Sequence, residues 1–328
     1  MDVFSSVEEM LAGATDRAPL DGPGKSGALL ERVTIDGEPY VVKHLDHDAD
    51  WTLRVANIPG SATVELWRRG VLAELPDCFN QPIVAVAHDV RRPSVSAMLM
   101  HDVGPWLVPA TDEPVSLEQH ERFLDHMAAL HAAFWDRRID VVSPTDRYLE
   151  LSPRMAAVEA AIGSDHLVPQ LVAQGWPLLE EVAPALARVV VPLVHDPAPL
   201  VDALDATPAT FVHGNWKLDN LGTDDRGRTV LLDWELPGTG AAASDLAWYL
   251  AINCRRLPTT KEQTIVSYRT ALERHGVATD SWWERQLNLC LIGAMVQFGW
   301  EKALGGYDDE LAWWEEQVLR VAPLLETT

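Results

Sequence analysis

The sequence predicts an α+β fold in two parts: a small, mostly antiparallel β lobe carrying a helix over residues 1–102, and a larger, mainly helical lobe over residues 103–328. Three observations predict it. Apolar residues alternate with a period of two around the pair Asp36-Gly37, the signature of a hairpin. After about residue 116 the apolar period lengthens to that of amphipathic helices. One strand-rich island, residues 210–234, interrupts those helices.

Taken in order, residues 5–13 suit a short helix, with Ser5 or Ser6 as its cap, glutamates in its first turns and Gly13 to end it. Strands follow to about residue 45, with 28–35 and 39–45 flanking Asp36-Gly37 and a glycine-rich stretch, 21–27, before them. Residues 61–74 read as a capped amphipathic helix, and 83–88 and 95–100 as two more strands. The first hundred residues thus run hairpin, helix, hairpin. His101-Asp102-Val103-Gly104-Pro105 reads as a linker. In 116–136, Phe123, Leu124, Met127, Leu130, His131 and Phe134 share one helical face. Further helices are expected over 152–163, 167–189, 195–205, 243–256, 260–275, 281–304 and 308–325.

Composition narrows the function classes. Lys and Arg number 26 against 49 Asp and Glu, a net charge of −23, which disfavours nucleic acid and anionic membrane surfaces as partners. Cys78, Cys254 and Cys290 are isolated and odd in number, fitting a reducing cytoplasm better than a disulfide framework. The N-terminus lacks a signal-like apolar run, and no stretch is long and apolar enough to span a bilayer. A soluble cytoplasmic protein is expected.

The chemistry concentrates in His213-Gly214-Asn215-Trp216-Lys217-Leu218-Asp219-Asn220 and, after the turn Asp224-Asp225-Arg226-Gly227, in Leu231-Leu232-Asp233-Trp234-Glu235. Phosphoryl transfer asks a protein to hold metal ions on the phosphates, to set a cation near the transferring group and to orient the attacking hydroxyl. The spacing assigns those jobs. Asn220, five positions after Asn215, offers a side-chain oxygen to Mg2+, and Asp233 ends an apolar strand run that suits it to a metal-bridging carboxylate. Lys217 is placed to neutralise charge on the transferred phosphate. His213 is expected to fix the loop backbone, and Asp245 to accept N–H bonds from it. The candidate catalytic residues are therefore Asn215, Lys217 and Asp233, and the candidate metal ligands Asn220 and Asp233.

On these motifs, with Leu99-Met100-His101-Asp102-Val103-Gly104 and Leu130-His131-Ala132-Ala133-Phe134-Trp135, the chain resembles the aminoglycoside phosphotransferase and choline kinase family, whose fold is protein-kinase-like. The resemblance runs from about residue 20 to residue 320 and is strongest over 210–250. It implies ATP as phosphoryl donor, Mg2+, and a small-molecule acceptor such as an aminoglycoside, an amino sugar or choline. It makes Lys43 the strand lysine on the α/β-phosphates and Glu65 its ion-pair partner. Met100, Asp102 and Val103 become the hinge whose backbone holds adenine. Gly24, Lys25 and Ser26, with Gly22 and Gly27, become a loop that approaches the phosphates closely.

One position departs from the pattern. In the family the residue after His-Gly is an aspartate that accepts the hydroxyl proton, and Asn215 cannot do so at neutral pH. Three outcomes are open. Asn215 orients the hydroxyl in a loose transition state, with loss of a general base costing ~10²–10⁴-fold. Another carboxylate substitutes, Asp219 being nearest in sequence. Or the chain is a catalytically impaired, pseudokinase-like nucleotide binder of the same fold. Gly24-Lys25-Ser26 does not make a Walker loop, because Pro19 stands where that motif needs glycine. Trp282, Trp283, Trp300, Trp313 and Trp314 suit either an aromatic cage or core packing.

Overall fold

The structure, a computed structural model, describes residues 2–20, 27–56 and 60–325. A short helix, α1 (Val7–Met10), is capped by Ser6 Oγ, which accepts the Glu9 N–H at 3.1 Å. It leads into β1 (Thr15–Pro19), β2 (Leu29–Ile35) and β3 (Glu38–Asp46). Asp36 and Gly37 both take positive φ, 51° and 84°, as a two-residue hairpin turn of this hand requires. That turn sets the register from Ile35 opposite Glu38 to Leu29 opposite His44. α2 (Trp51–Ala56), α3 (Ala62–Arg68), β4 (Phe79–Asn80), β5 (Ile83–His88) and β6 (Val95–His101) follow.

The main sheet runs β1-β2-β3-β6-β5 and is antiparallel throughout. Alternation along each strand sorts its two faces. Val33, Val42, Ala97 and Leu99 pack against Val7 and Met10 of α1 in a small outer core. Leu45, Met98 and Met100 turn the other way, into the main core. Lys43 is two residues from Leu45 and so shares its inward face.

The helical part begins with α4 (Leu117–Ala133), α5 (Pro144–Leu149), α6 (Pro153–Ala161), α7 (Leu167–Val182), α8 (Pro184–His195) and α9 (Ala198–Asp205). The single helix expected over 167–189 is two helices. The chain leaves helical geometry at Ala183, φ −138°, ahead of Pro184, because proline disfavours a helical residue before it. The island holds β7 (Thr210–Val212), β8 (Leu221–Thr223) and β9 (Thr229–Leu231), with β10 (Gly238–Gly240) just beyond it. Then come α10 (Ala242–Ile252), α11 (Lys261–Arg274), α12 (Trp283–Leu304) and α13 (Asp309–Val321). α12 is apolar nearly all round and packs between α7, α10 and α13, as a fully buried helix must. Trp282, Trp283, Trp300 and Trp314 are buried core residues, and Trp313 is half-buried beneath the Lys261 ammonium.

Backbone pairing stitches the island to what precedes it. β4 pairs with β9 in parallel, β8 pairs with β9 antiparallel, and β7 pairs with β10. The Val108 N–H donates to Leu221 O at 2.8 Å, and Asn80 Nδ2 to Asp224 Oδ2 at 3.1 Å. No helix among the described residues is long and apolar enough to cross a membrane.

Candidate active site

The loop between β7 and β8 is held from below by a buried carboxylate. Asp245, in the first turn of α10, accepts the His213 N–H at Oδ2 and the Gly214 N–H at Oδ1, both at 2.8 Å. His131 of α4 adds a third bond to Oδ2, at 3.1 Å. Burial pushes the Asp245 pKa up, but the His131 contact and the loop N–H groups outweigh it and hold the pKa below the ordinary value. His213 is buried, and burial keeps its imidazole neutral. Its Nδ1 accepts the Asn215 N–H, so its Nε2–H donates to Leu232 O at 3.0 Å. Gly214 has φ +77°, and a Cβ there would lie 2.2 Å from Leu236 O, so no other residue fits.

On this base the predicted site residues converge on Asp233. Its Oδ1 meets Lys43 Nζ at 2.5 Å and its Oδ2 accepts Asn215 Nδ2 at 3.0 Å. Asp233 takes a left-handed backbone, φ 67°, an uncommon conformation that functional sites concentrate. Burial opposes its charge, but Lys43 and Lys217 override burial and hold the carboxyl well below the usual range. Burial likewise opposes the Lys43 charge, and Asp233 with Glu235 keeps it above its ordinary value. An ionised carboxylate only accepts hydrogen bonds, so the Asn215 amide nitrogen faces Asp233. Its Oδ1 is left buried without a partner. Asn220 is also buried, and its Nδ2 donates to the Asn215 carbonyl at 3.0 Å. That bond uses its side-chain nitrogen and not its side-chain oxygen.

The expected Lys43–Glu65 pair does not form. Glu65 lies on α3 four residues before Arg69 and bonds Arg69 Nε at 2.6 Å, so its carboxylate is spent within its own helix. Glu235 supplies the second negative charge near Lys43 instead. It is buried, and accepts Ser61 Oγ at 3.1 Å and Thr63 Oγ1 at 3.0 Å. α3 is thereby tied to the Asp233 segment through its N-terminal hydroxyls rather than through Glu65. Burial pushes the Glu235 pKa up to about 7, with Lys43 pulling it back.

Two further acids escaped sequence reasoning. Asp50 is buried at the start of α2, where its Oδ1 accepts the Thr52 N–H at 2.9 Å. Glu150 ends α5, which packs against α2, and is 5% exposed. Its Oε2 is buried with no hydrogen-bond partner. Burial raises its pKa to about 8, Lys217 lowering it and Asp233 and Asp50 raising it. Among the described residues no group of three or more His, Cys, Asp or Glu gathers as a metal centre. A carboxylate and an amide oxygen are what Mg2+ takes when phosphate oxygens and water supply the rest, so Asp233 and Asn220 fit it.

Of the residues expected to form a hinge, Met100 is buried in β6 between Val41 and Ile83, and Val103 is buried beyond it. Asp102 Oδ2 accepts Arg32 Nη2 at 2.9 Å and its Oδ1 the Gly104 N–H at 3.0 Å. Gly24, Lys25 and Ser26 lie outside the described residues. Asp219 is exposed on the turn Leu218–Asn220, whereas Asn215 is buried.

Comparison with known proteins accords with this geometry. No curated protein matches the sequence. A thermostable mutant of aminoglycoside phosphotransferase APH(4)-Ia, solved as a ternary complex with ADP and hygromycin B, is similar at 13% identity and TM-score 0.50, with 98% of each chain covered. The choline kinase LicA from Streptococcus pneumoniae is similar at 12% identity and TM-score 0.48, over 98% of this chain and 96% of that one. The likeness to the aminoglycoside phosphotransferase shows a protein-kinase-like fold. Residues 34–276 match the Phosphotransferase enzyme family (APH), and the chain belongs to it.

Proposed function

We propose that the protein transfers the γ-phosphoryl group of ATP, with Mg2+, to a hydroxyl of a small molecule in the cytoplasm, residues 1–102 forming the nucleotide-binding lobe and 103–328 the catalytic one. The observation that carries this reading is the convergence of Lys43 and Asn215 on the two oxygens of Asp233. Asp233 and Asn220 would hold Mg2+, which supplies charge neutralisation on the phosphates when bound. Lys43 would turn from Asp233 to the α/β-phosphates, and Lys217 would face the transferred group. The Met100–Val103 segment would hold adenine. Asn215 orients the acceptor hydroxyl through Oδ1, the buried atom that lacks a donor. The net charge of −23 favours an amine-bearing acceptor: aminoglycoside-like, an amino sugar or choline-like.

Calorimetry with ATP and Mg2+, followed by a screen of hydroxyl compounds for ADP release, tests the reading. Nucleotide binding with acceptor-dependent ADP release supports it. Binding without turnover on any acceptor supports the impaired nucleotide binder, which the amide at position 215 favours. No binding overturns both.

A further inference from the structure

Beneath the loop that carries Asn215 the chain encloses a cavity of about 280 Å³, with Gly214 and Asp245 in its lining. Its walls come from α5, α9, β10, α10 and α12. Lys43, Asn215, Lys217, Asn220 and Asp233 take no part in that lining. The cavity is therefore distinct from the place where phosphates and metal are proposed to sit. Its volume stands at the small end of ligand pockets and suits a compact organic molecule.

Arg147 gives the cavity its chemistry. It lines the space, is 7% exposed, and carries a guanidinium that stays charged at any working pH. Buried charges are ordinarily paired with an opposite charge. Arg147 meets neutral partners instead: Nη1 donates to Val142 O at 2.8 Å and Nη2 to Thr239 O at 2.6 Å. Among the described residues no carboxylate forms an ion pair with it. Its Nε–H donates to no described residue and is not one of the fully enclosed atoms without a partner, so it opens onto free volume. The guanidinium is held in place by design of the chain. Gly238 and Gly240 make room for it, since a Cβ at either would lie within 2.8 Å of an Arg147 nitrogen. Gln297 Nε2, from α12, donates to the Arg147 carbonyl at 3.2 Å.

The other charges in the lining leave that cation unneutralised. Asp245 gives its oxygens to the His213 and Gly214 N–H groups and to His131. Asp140 and Asp205 are exposed, where water screens them, and Asp140 pairs with Arg138 at 3.6 Å. Tyr148, Leu204 and Trp248 are buried and make much of the remaining wall apolar. Trp248 also carries an indole N–H without an acceptor.

We propose that this cavity is a binding site for a small organic carboxylate with an apolar body. The carboxylate sits on the Arg147 guanidinium, and the body lies against Tyr148, Leu204 and Trp248. A guanidinium offers a planar fork of donors that matches the two oxygens of a carboxylate. The ligand brings the counter-charge that the fold does not provide. Water alone can satisfy donors in such a space but cannot neutralise the charge. The site goes beyond the phosphotransferase reading and does not depend on it, because none of the residues proposed for phosphoryl transfer takes part.

Calorimetry on the full chain with isovalerate and benzoate, each beside its primary amide, tests the assignment, with acetate and inorganic phosphate as further probes. Isovalerate or benzoate is expected to bind at least about tenfold more tightly than its own amide and than acetate. Arg147→Lys keeps the charge but loses the fork, and should weaken that binding by at least about tenfold. Val201→Trp fills the cavity from α9 with Arg147 intact, and should abolish it. Thermal melts show whether each variant is folded. If Arg147→Lys does not fold, the comparison of acid with amide on wild type and the Val201→Trp isotherm still decide. Saturating ATP with Mg2+ should leave the carboxylate bound. Acids that bind no better than their amides at about 10 mM mean that the cavity holds water only, and overturn the proposal. So does binding of phosphate in place of either carboxylate, displacement by ATP, or an affinity that Val201→Trp leaves within about threefold of wild type. No arm asks for turnover, so failure here leaves the phosphotransferase reading standing, and failure of that reading leaves this one.

Discussion

Lys43 Nζ and Asp233 Oδ1, 190 residues apart in the chain, meet at 2.5 Å. The lysine proposed for the phosphates and the carboxylate proposed for the metal neutralise each other when neither ligand is bound. On the proposed reading nucleotide with Mg2+ would replace that pair in a balanced exchange, the metal taking over the charge of Asp233 and phosphate that of Lys43. A site built this way keeps both groups ionised and in place without ligand. Both are partly open to the cleft, at 15% and 27% side-chain exposure, which a pair meant to be exchanged requires.

Lys43→Met should therefore harm binding more than folding. It leaves Asp233 with Lys217 as its remaining counter-charge, and solvent screening limits the stability loss to about 1–2 kcal/mol. Affinity for ATP with Mg2+ should fall by at least about tenfold, the loss of one charge-assisted contact. Calorimetry and thermal unfolding on the same preparation check both numbers. An unchanged isotherm would remove Lys43 from the phosphate site.

Asp245→Asn should behave in the opposite way. The carboxylate accepts two loop N–H groups and His131 while buried, and an amide can keep only part of that set because its nitrogen donates. The expected cost is about 2–4 kcal/mol of stability, read as a fall in denaturation midpoint. Nucleotide affinity should fall as well, since Asn215 and Asn220 lose their scaffold. A variant as stable as wild type would mean that the loop holds its shape without the clamp.

Glu150 also sets a pH dependence of stability. Its carboxyl titrates at 4.5 in the unfolded chain and is pushed up to about 8 in the folded one. Between those values the folded protein holds a proton that the unfolded chain has released, so stability falls as pH rises. The contribution is complete below the unfolded pKa and is lost as pH rises through the folded one. Glu150→Gln never ionises, so its melting temperature should rise relative to wild type as pH is raised from about 5 to about 8. Measuring the difference cancels the other titrating groups. A difference that stays flat across that range would place Glu150 in contact with water.

The sequence carried the candidate loop because its information is local. His213 through Asn220 bring their own turn and their own hydrogen bonds, and the Asp36-Gly37 turn fixes a register within one hairpin. What it lacked is tertiary. α2 and α5, each six residues long, are too short for a helical period to declare itself. Glu65 was legible as an acid on the helix after Lys43, but which face it occupies depends on how α3 docks, and Ser61 and Thr63 dock it on Glu235. Glu150 belongs to no motif. Only the packing of α5 against α2 shows that it is buried.

Asn215→Asp separates the roles of orientation and proton transfer. In the ligand-free protein it replaces an amide donor, 3.0 Å from Asp233 Oδ2, with a second carboxylate. Like charges at that distance repel, so the variant without Mg2+ should melt lower than wild type, by about 1–3 kcal/mol of stability. Mg2+ should recover more of that loss than it gives wild type, because the added charge strengthens the metal site. A rise of ~10²-fold or more in ADP release would mean that wild type works without a base and that the amide at position 215 limits it, whereas an unchanged rate would mean that it does not.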